Sequence, residues 1–292
     1  MKFWIFIIWG LLYGITEFLP ISSSGHFSVM EHTLGYSALP EIRIFMYISA
    51  VILIIYVFHR DMNKLIKENF GMLIRLIRNS GIFFVNIFLK NKKEYLKIKN
   101  NPYDDYALFL IFAMIPEIAL TVLLQPVARV AGSGILIPGL CLLINGVVLL
   151  IADNLNPGYR TKVEINIYPG FLVGLVQAVA FLPGFSYPAV AFTMALLLGY
   201  QKEFAIRTSF FLMIPIMLTD SVYHIFVLNE IPVLPESESE LIGIAGMMLA
   251  VLIVGYISLR ATLLIVRKKK FWLLAIENLI LGAFAVGWHF FA

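Results

Sequence analysis

Apolar residues come in long runs, broken by short polar islands. Six runs approach the roughly 20 residues that cross a bilayer: Ile42–Phe58, Tyr106–Leu124, Gly134–Ala152, Phe204–Leu228, Leu241–Leu264 and Phe271–Phe291. The first is short for that role. Two further apolar regions, Met1–Leu39 and Tyr168–Gly199, are each split into half-length arms by a Pro/Gly/Ser knot. Backbone groups freed by Pro and Gly at membrane depth are tolerated only where protein or water satisfies them. Each knot therefore reads as the tip of a re-entrant hairpin. The expected fold is an all-α integral membrane protein with six transmembrane helices and two re-entrant helix hairpins, in a single membrane domain over 1–292.

The polar connections set an orientation. Arg60–Asp105 carries ten Lys and Arg, RKKK follows at Arg267–Lys270, and Asn229–Glu240 holds four Glu with no Lys or Arg. The positive-inside rule puts the two basic segments in the cytoplasm. Counting spans then places both termini and the acidic loop outside. The first hairpin opens to the outside and the second to the cytoplasm.

Opposite hairpins suggest an inverted-topology repeat, about 1–152 and 153–292, with a cytoplasmic insert at 60–105. FLPISS at Phe18–Ser23 is echoed by FLPGFS at Phe181–Ser186. Each is preceded by a Gly-x-x-Glu/Gln pair, Gly14/Glu17 and Gly174/Gln177, and MIP recurs at Met114–Pro116 and Met213–Pro215. Within the insert, Asn63–Asn100 mixes Lys and Arg with Phe83, Phe84, Ile87, Phe88 and Leu89. That pattern reads as an amphipathic helix on the anionic leaflet.

Composition agrees with a membrane protein. Of 292 residues 60% are hydrophobic and 14% charged, with mean hydropathy +0.89, against about a quarter charged in soluble domains. No secretory cleavage site is evident near the N-terminus. The lone Cys141 excludes a disulfide framework and a thiolate zinc site. The basic balance points to the phospholipid bilayer, not to nucleic acid.

The densest polar island is YGITEFLPISSSGHFSVMEH at Tyr13–His32. An ionisable cluster is expensive in lipid, so it reads as a site. Glu17 needs compensation from a cation, a metal or the hydroxyls of Ser22, Ser23 and Ser24. His26 reaches Ser23 if Gly25 turns the chain. Serine, histidine and a carboxylate make the minimum set for nucleophilic displacement. With N–H groups freed by Pro20 and Gly25, the same set also cradles a phosphate.

TEFLPISSSGH at Thr16–His26 resembles the first signature of the undecaprenyl-diphosphate phosphatase family of the bacitracin-resistance type, which usually reads E-G-x-T-E-F-L-P-(V/I)-S-S-(T/S)-G-H. The second signature, P-G-x-S-R-S-G, is matched by Pro183, Gly184 and Ser186 in PGFSYPAV. AMIP at Ala113–Pro116 and SFFLMIP at Ser209–Pro215 extend the likeness over nearly the whole chain. The resemblance implies hydrolysis of a polyprenyl diphosphate to the monophosphate at the outer face of the plasma membrane, recycling the carrier of cell-wall glycans. It implies catalytic roles for Glu17, Ser23 and His26, with Glu17 also a ligand for a divalent Mg²⁺ or Ca²⁺. The headgroup would lie among Ser22, Ser24, Gly25, Pro183, Gly184, Ser186, Tyr187 and Tyr13. A homodimer is compatible with this reading.

The chain departs from the pattern at several positions, among them Pro188 where the second signature usually has a serine. Tyr13 replaces the first glutamate and Tyr187 the second-signature arginine. A tyrosine brings a hydrogen bond but no charge, and loss of one such electrostatic element costs about 10²–10³ in rate. Arg43, Arg129 and Arg207 are candidate substitutes, the last two being otherwise interfacial residues. Glu117 and Glu277 are intramembrane acids with a candidate accessory role; Glu277 lies near where the family often has an arginine. Asp220 reads as a solvated residue near a helix end, with His224 one turn beyond. The alternative is a flippase that keeps the inverted-repeat frame without hydrolysis.

Overall fold

The computed structural model describes residues 3–35, 40–88, 93–98, 102–156, 158–160, 167–229 and 237–291. Most of the acidic loop, residues 230–236, lies outside them. Among the described residues the regular structure is helical: α1 (Phe3–Thr16), α2 (Ser23–Leu34), α3 (Pro40–Val57), α4 (His59–Phe88), α5 (Pro102–Gly132), α6 (Leu136–Asn154), α7 (Ile167–Val179), α8 (Tyr187–Leu197), α9 (Lys202–Phe226), α10 (Glu238–Lys268) and α11 (Phe271–Phe291). One isolated bridge joins Arg160 to Tyr200.

Among the described residues, six helices are long and apolar enough to cross a membrane: α4, α5, α6, α9, α10 and α11. The sequence pattern selects α3 where length and composition select α4. α3 is only 18 residues long, whereas α4 has 30 and turns apolar in its second half. α4 is amphipathic, burying Leu65 and Met72. Arg75 on α4 donates to the buried Asp104 at 2.8 Å and to the Ile98 carbonyl at 2.8 Å. The Asn79 amide exchanges two hydrogen bonds with the Leu96 backbone, at 2.8 and 2.7 Å. Residues 93–98 thus run back along α4, and Arg75 ties α4 to the start of α5.

Two pairs of short helices sit inside this frame. α1 and α2 have 14 and 12 residues, and α7 and α8 have 13 and 11. Each is shorter than the roughly 20 residues of a full crossing. Both pairs dock by the same device. A Cβ on Gly10 would lie 2.5 Å from the Met247 carbonyl oxygen of α10, and one on Gly174 would lie 1.9 Å from the Ala113 carbonyl oxygen of α5. Small residues four apart, Gly10/Gly14 and Gly170/Gly174, let the backbones approach closely. α1 therefore rests on α10 as α7 rests on α5, and α3 packs on α10 as α9 packs on α5. α6 and α11 close the arrangement against each other.

Local chemistry fixes where the short helices begin. Ser22 caps α2, its hydroxyl accepting the Gly25 N–H at 3.1 Å, while its own φ of +70° is one that L-residues rarely adopt. Ser186 caps α8 by accepting from Ala189 N–H, and Pro188 sits in the first turn, where a missing N–H costs nothing.

Candidate functional site

The loops 17–22 and 180–186 meet inside the bundle. Gly184 N–H donates to the Ser24 hydroxyl at 3.1 Å. Gly184 has φ +103°, and a Cβ there would lie 2.3 Å from the Pro138 carbonyl oxygen, so only glycine fits. Asn145, fully buried on α6, holds both loops at once. Its amide N–H donates to the Pro20 carbonyl at 3.2 Å and to Asn278 at 3.0 Å, and its carbonyl accepts the Ser186 N–H at 3.1 Å. On the far side of the first loop, Thr262 of α10 donates to the Phe18 carbonyl at 2.6 Å. α2 and α8 both start at this meeting point, so the positive ends of two helices face it.

A cavity of about 300 Å³ opens beside the loops. Tyr13, Glu17, Ser23, Ser24, Pro183 and Tyr187 line it, all expected from the sequence. The Ser23 hydroxyl donates to Glu17 in a short hydrogen bond. The other Glu17 oxygen and the Tyr13 hydroxyl are buried without a hydrogen-bond partner among the described residues. Ser22 is used as the cap of α2, Gly25 packs against Leu142, and Ser186 is held by Asn145. These three support the loops without lining the cavity.

Positive charge comes from elsewhere in the chain. Arg43 of α3 and Arg129 of α5 line the same cavity as Glu17. Arg129, which reads from the sequence as an interfacial residue, is brought in by its place in the last turn of α5, shortly before Ser133, whose carbonyl lies 3.3 Å from His32 of α2. Arg207 instead pairs with Asp61 at 3.0 Å and borders a separate cavity with Arg60, Arg260 and Arg267. α3 and α9 run between the two cavities, with Arg43 and His224 at one end and Phe58 and Arg207 at the other.

Asp220 corrects its sequence reading. It is buried, not solvated, and accepts from Tyr47 at 2.9 Å and Gln125 at 2.8 Å, with His224 at 3.4 Å. This network of α3, α5 and α9 residues forms one wall. Sequence reasoning missed Tyr47, Gln125 and Asn145. A lone amide within an apolar span is itself a signal, and both Gln125 and Asn145 carry it.

His26 turns away from the cavity. Its Nδ1 donates to the Ser22 carbonyl at 2.8 Å and its Nε2 lies 2.8 Å from Glu277 on α11. Glu277 also accepts from the Asn278 amide at 3.2 Å. Glu117 lies elsewhere, buried on α5 with neither carboxylate oxygen hydrogen-bonded among the described residues.

No group of three or more His, Cys, Asp and Glu able to hold a metal occurs among the described residues. The unpartnered Glu17 oxygen nonetheless fits a cation that takes its remaining ligands from a phosphate-bearing substrate, the usual pattern for Mg²⁺.

Comparison with known proteins gives one consistent result. A family model described as bacitracin resistance protein BacA matches residues 6–284. An undecaprenyl-diphosphatase of Alkaliphilus metalliredigens is 27% identical over 285 residues, covering 96% of each chain. One of Methanobrevibacter smithii is 27% identical over 277 residues, covering 94% of each. One of Methanosphaera stadtmanae is 30% identical over 270 residues, covering 92% of this chain and 91% of its own.

Proposed function

The chain belongs to the family of bacitracin resistance protein BacA, and from that premise we propose that it is a multi-pass membrane undecaprenyl-diphosphatase. It removes the terminal phosphate of a polyprenyl diphosphate and returns the lipid carrier to cell-wall glycan synthesis. The observation that carries this reading is the cavity beside the two loops, which gathers a hydroxyl–carboxylate pair and two arginines.

Phosphoryl transfer asks for position and for charge stabilisation, with the attacking and leaving oxygens in line. Glu17 takes the Ser23 proton as the Ser23 oxygen bonds to the terminal phosphorus. The bridging P–O bond breaks and the lipid monophosphate leaves. The Glu17 proton passes to the departing monophosphate. Water then attacks the phosphoserine, Glu17 taking the water proton and giving it to the Ser23 oxygen as inorganic phosphate is released. Arg43 and Arg129 supply the charge that Tyr187 lacks, and the free Tyr13 hydroxyl donates to a phosphate oxygen. A divalent Mg²⁺ or Ca²⁺ held by Glu17 and the diphosphate would offset the substrate's negative charge. His26 acts as a positioning residue, holding the Ser22 carbonyl and with it the start of α2.

The short helix pairs are the re-entrant hairpins of an inverted repeat in this reading. On the positive-inside rule, the gathering of Arg60, Arg207, Arg260 and Arg267 supports assigning that end to the cytoplasm. The headgroup cavity, at the other ends of α3 and α9, then faces outward.

Purified full-length protein should release phosphate from undecaprenyl diphosphate, and Glu17→Gln should abolish that release. Movement of the lipid between vesicle leaflets with no phosphate released would overturn the proposal in favour of a flippase.

A further inference from the structure

A second set of buried polar groups lies between α5 and α7, outside the headgroup cavity. Glu117 and Gln177 are fully buried, as is Thr121. Both carboxylate oxygens of Glu117, the Thr121 hydroxyl, and both the oxygen and nitrogen of the Gln177 amide lack hydrogen-bond partners among the described residues. None of the three residues lines the cavity at Glu17.

The packing register brings them level. Gly170 lies against Phe109 and Gly174 against Ala113, so α5 and α7 advance together in the same direction. One turn further along are Glu117, four residues beyond Ala113, and Gln177, three beyond Gly174. Thr121 follows Glu117 by four residues and shares its face of α5. Pro116 adds to the set: it has no N–H for the Phe112 carbonyl, leaving a further oxygen on this stretch of α5 without its helical donor.

An ionised carboxylate buried without a partner is costly, and so is each unsatisfied neutral group. A proton on Glu117 would cancel the charge and supply one donor, enough for only one of the Thr121 and Gln177 oxygens. A small cation would satisfy the carboxylate, hydroxyl and amide oxygens together. The set holds a single negative charge, which matches a monovalent ion; a divalent ion in a protein cage draws on several carboxylates. We propose that Glu117, Thr121 and Gln177 form a binding site for one Na⁺-sized monovalent cation at the α5–α7 contact. Its occupancy would brace the second short-helix pair against α5.

The test uses purified full-length protein in detergent, with thermal unfolding followed in NaCl and in choline chloride at equal ionic strength. A ligand that binds only the folded state raises the midpoint, the stabilisation growing as RT ln(1 + L/Kd) with L the free ligand concentration. NaCl should raise it by roughly 5 °C over choline chloride, and binding of radioactive Na⁺ should reach one ion per chain. Both effects should vanish in Glu117→Gln and in Thr121→Val, the latter removing only the hydroxyl oxygen. Should Glu117→Gln fail to fold, Thr121→Val and Gln177→Leu carry the same test. Equal midpoints in the two salts, stabilisation by acid alone, or a Na⁺ response that survives in the variants would each overturn the site.

Discussion

The Asn145 carboxamide accepts the Ser186 N–H at 3.1 Å while its own N–H reaches the Pro20 carbonyl at 3.2 Å. One side chain on α6 thereby fixes the separation of two loops that lie more than 150 residues apart in the chain. Asn145→Leu keeps the volume and removes both ends of the clamp. It leaves a buried N–H and a buried carbonyl unpaired, at about 1–3 kcal/mol for each group. The expected outcome is a lower unfolding midpoint and phosphate release reduced by at least about tenfold, because a small misplacement of reacting groups is costly. Wild-type turnover in Asn145→Leu would mean that the second loop is not part of the site.

Ser23 and Glu17 make the most direct test of the chemistry. Ser23→Ala removes the attacking oxygen, and Glu17→Gln keeps the hydrogen bond but not the base. Each should lower turnover by about 10²–10³ or more. The double variant should be little worse than either single one, because the two act as a unit. Additive losses in phosphate-release assays would separate their roles and sink the hydroxyl–carboxylate pairing as the reacting element.

Much of this was legible in the sequence, for physical reasons that can be named. Pro20, Gly25, Pro183 and Gly184 break apolar runs, so the two loops stand out in the sequence. Glu17, Ser23 and Ser24 announced themselves as polar residues too costly for lipid. The direction of the His26 side chain was not legible, because helical periodicity places it one turn from Ser23 but says nothing of α11 arriving beside it. Asp220 read as solvated because its partners, Tyr47 and Gln125, come from two other helices. α4 reads from the sequence as an interfacial helix, not a span, because the charges of Arg60, Asp61, Lys64, Lys67 and Glu68 fill its first half ahead of the apolar stretch.

Arg43 and Arg207 differ in what they touch, although the sequence offered both as substitutes for the missing second-signature arginine. Arg43 lines the cavity with Glu17, and Arg207 pairs with Asp61 at the far end of α9. Arg43→Met should reduce phosphate release by about 10²–10³, and Arg43→Lys should recover part of it, since a point charge lacks the planar fork of a guanidinium. Arg207→Met should stay within about threefold of wild type, in line with the small worth of an exposed pair. The reverse ranking, measured on folded protein, would move the headgroup site to the other end of the molecule.

His26 and Glu277 separate a positioning role from direct attack. The imidazole spans two oxygens 2.8 Å away on either side, one in the Ser22 carbonyl and one in Glu277. With Nδ1–H given to the carbonyl and Nε2 held against Glu277, neither ring nitrogen faces the headgroup cavity. The Glu277 side chain is 35% exposed, so the pair contributes only modestly, at about 1 kcal/mol. His26→Ala should lower the unfolding midpoint and reduce turnover through a loosened α2 start. Glu277→Gln, which retains a hydrogen bond to the ring, should cost much less, and the double variant should match His26→Ala alone. The covalent intermediate gives an independent readout. A phosphoserine survives acid quenching, whereas a phosphohistidine is lost, so protein quenched during turnover should carry acid-stable phosphate that disappears in Ser23→Ala. Acid-labile phosphate on wild-type protein, absent in His26→Ala, would make the imidazole the nucleophile and require it to swing from Glu277 into the cavity.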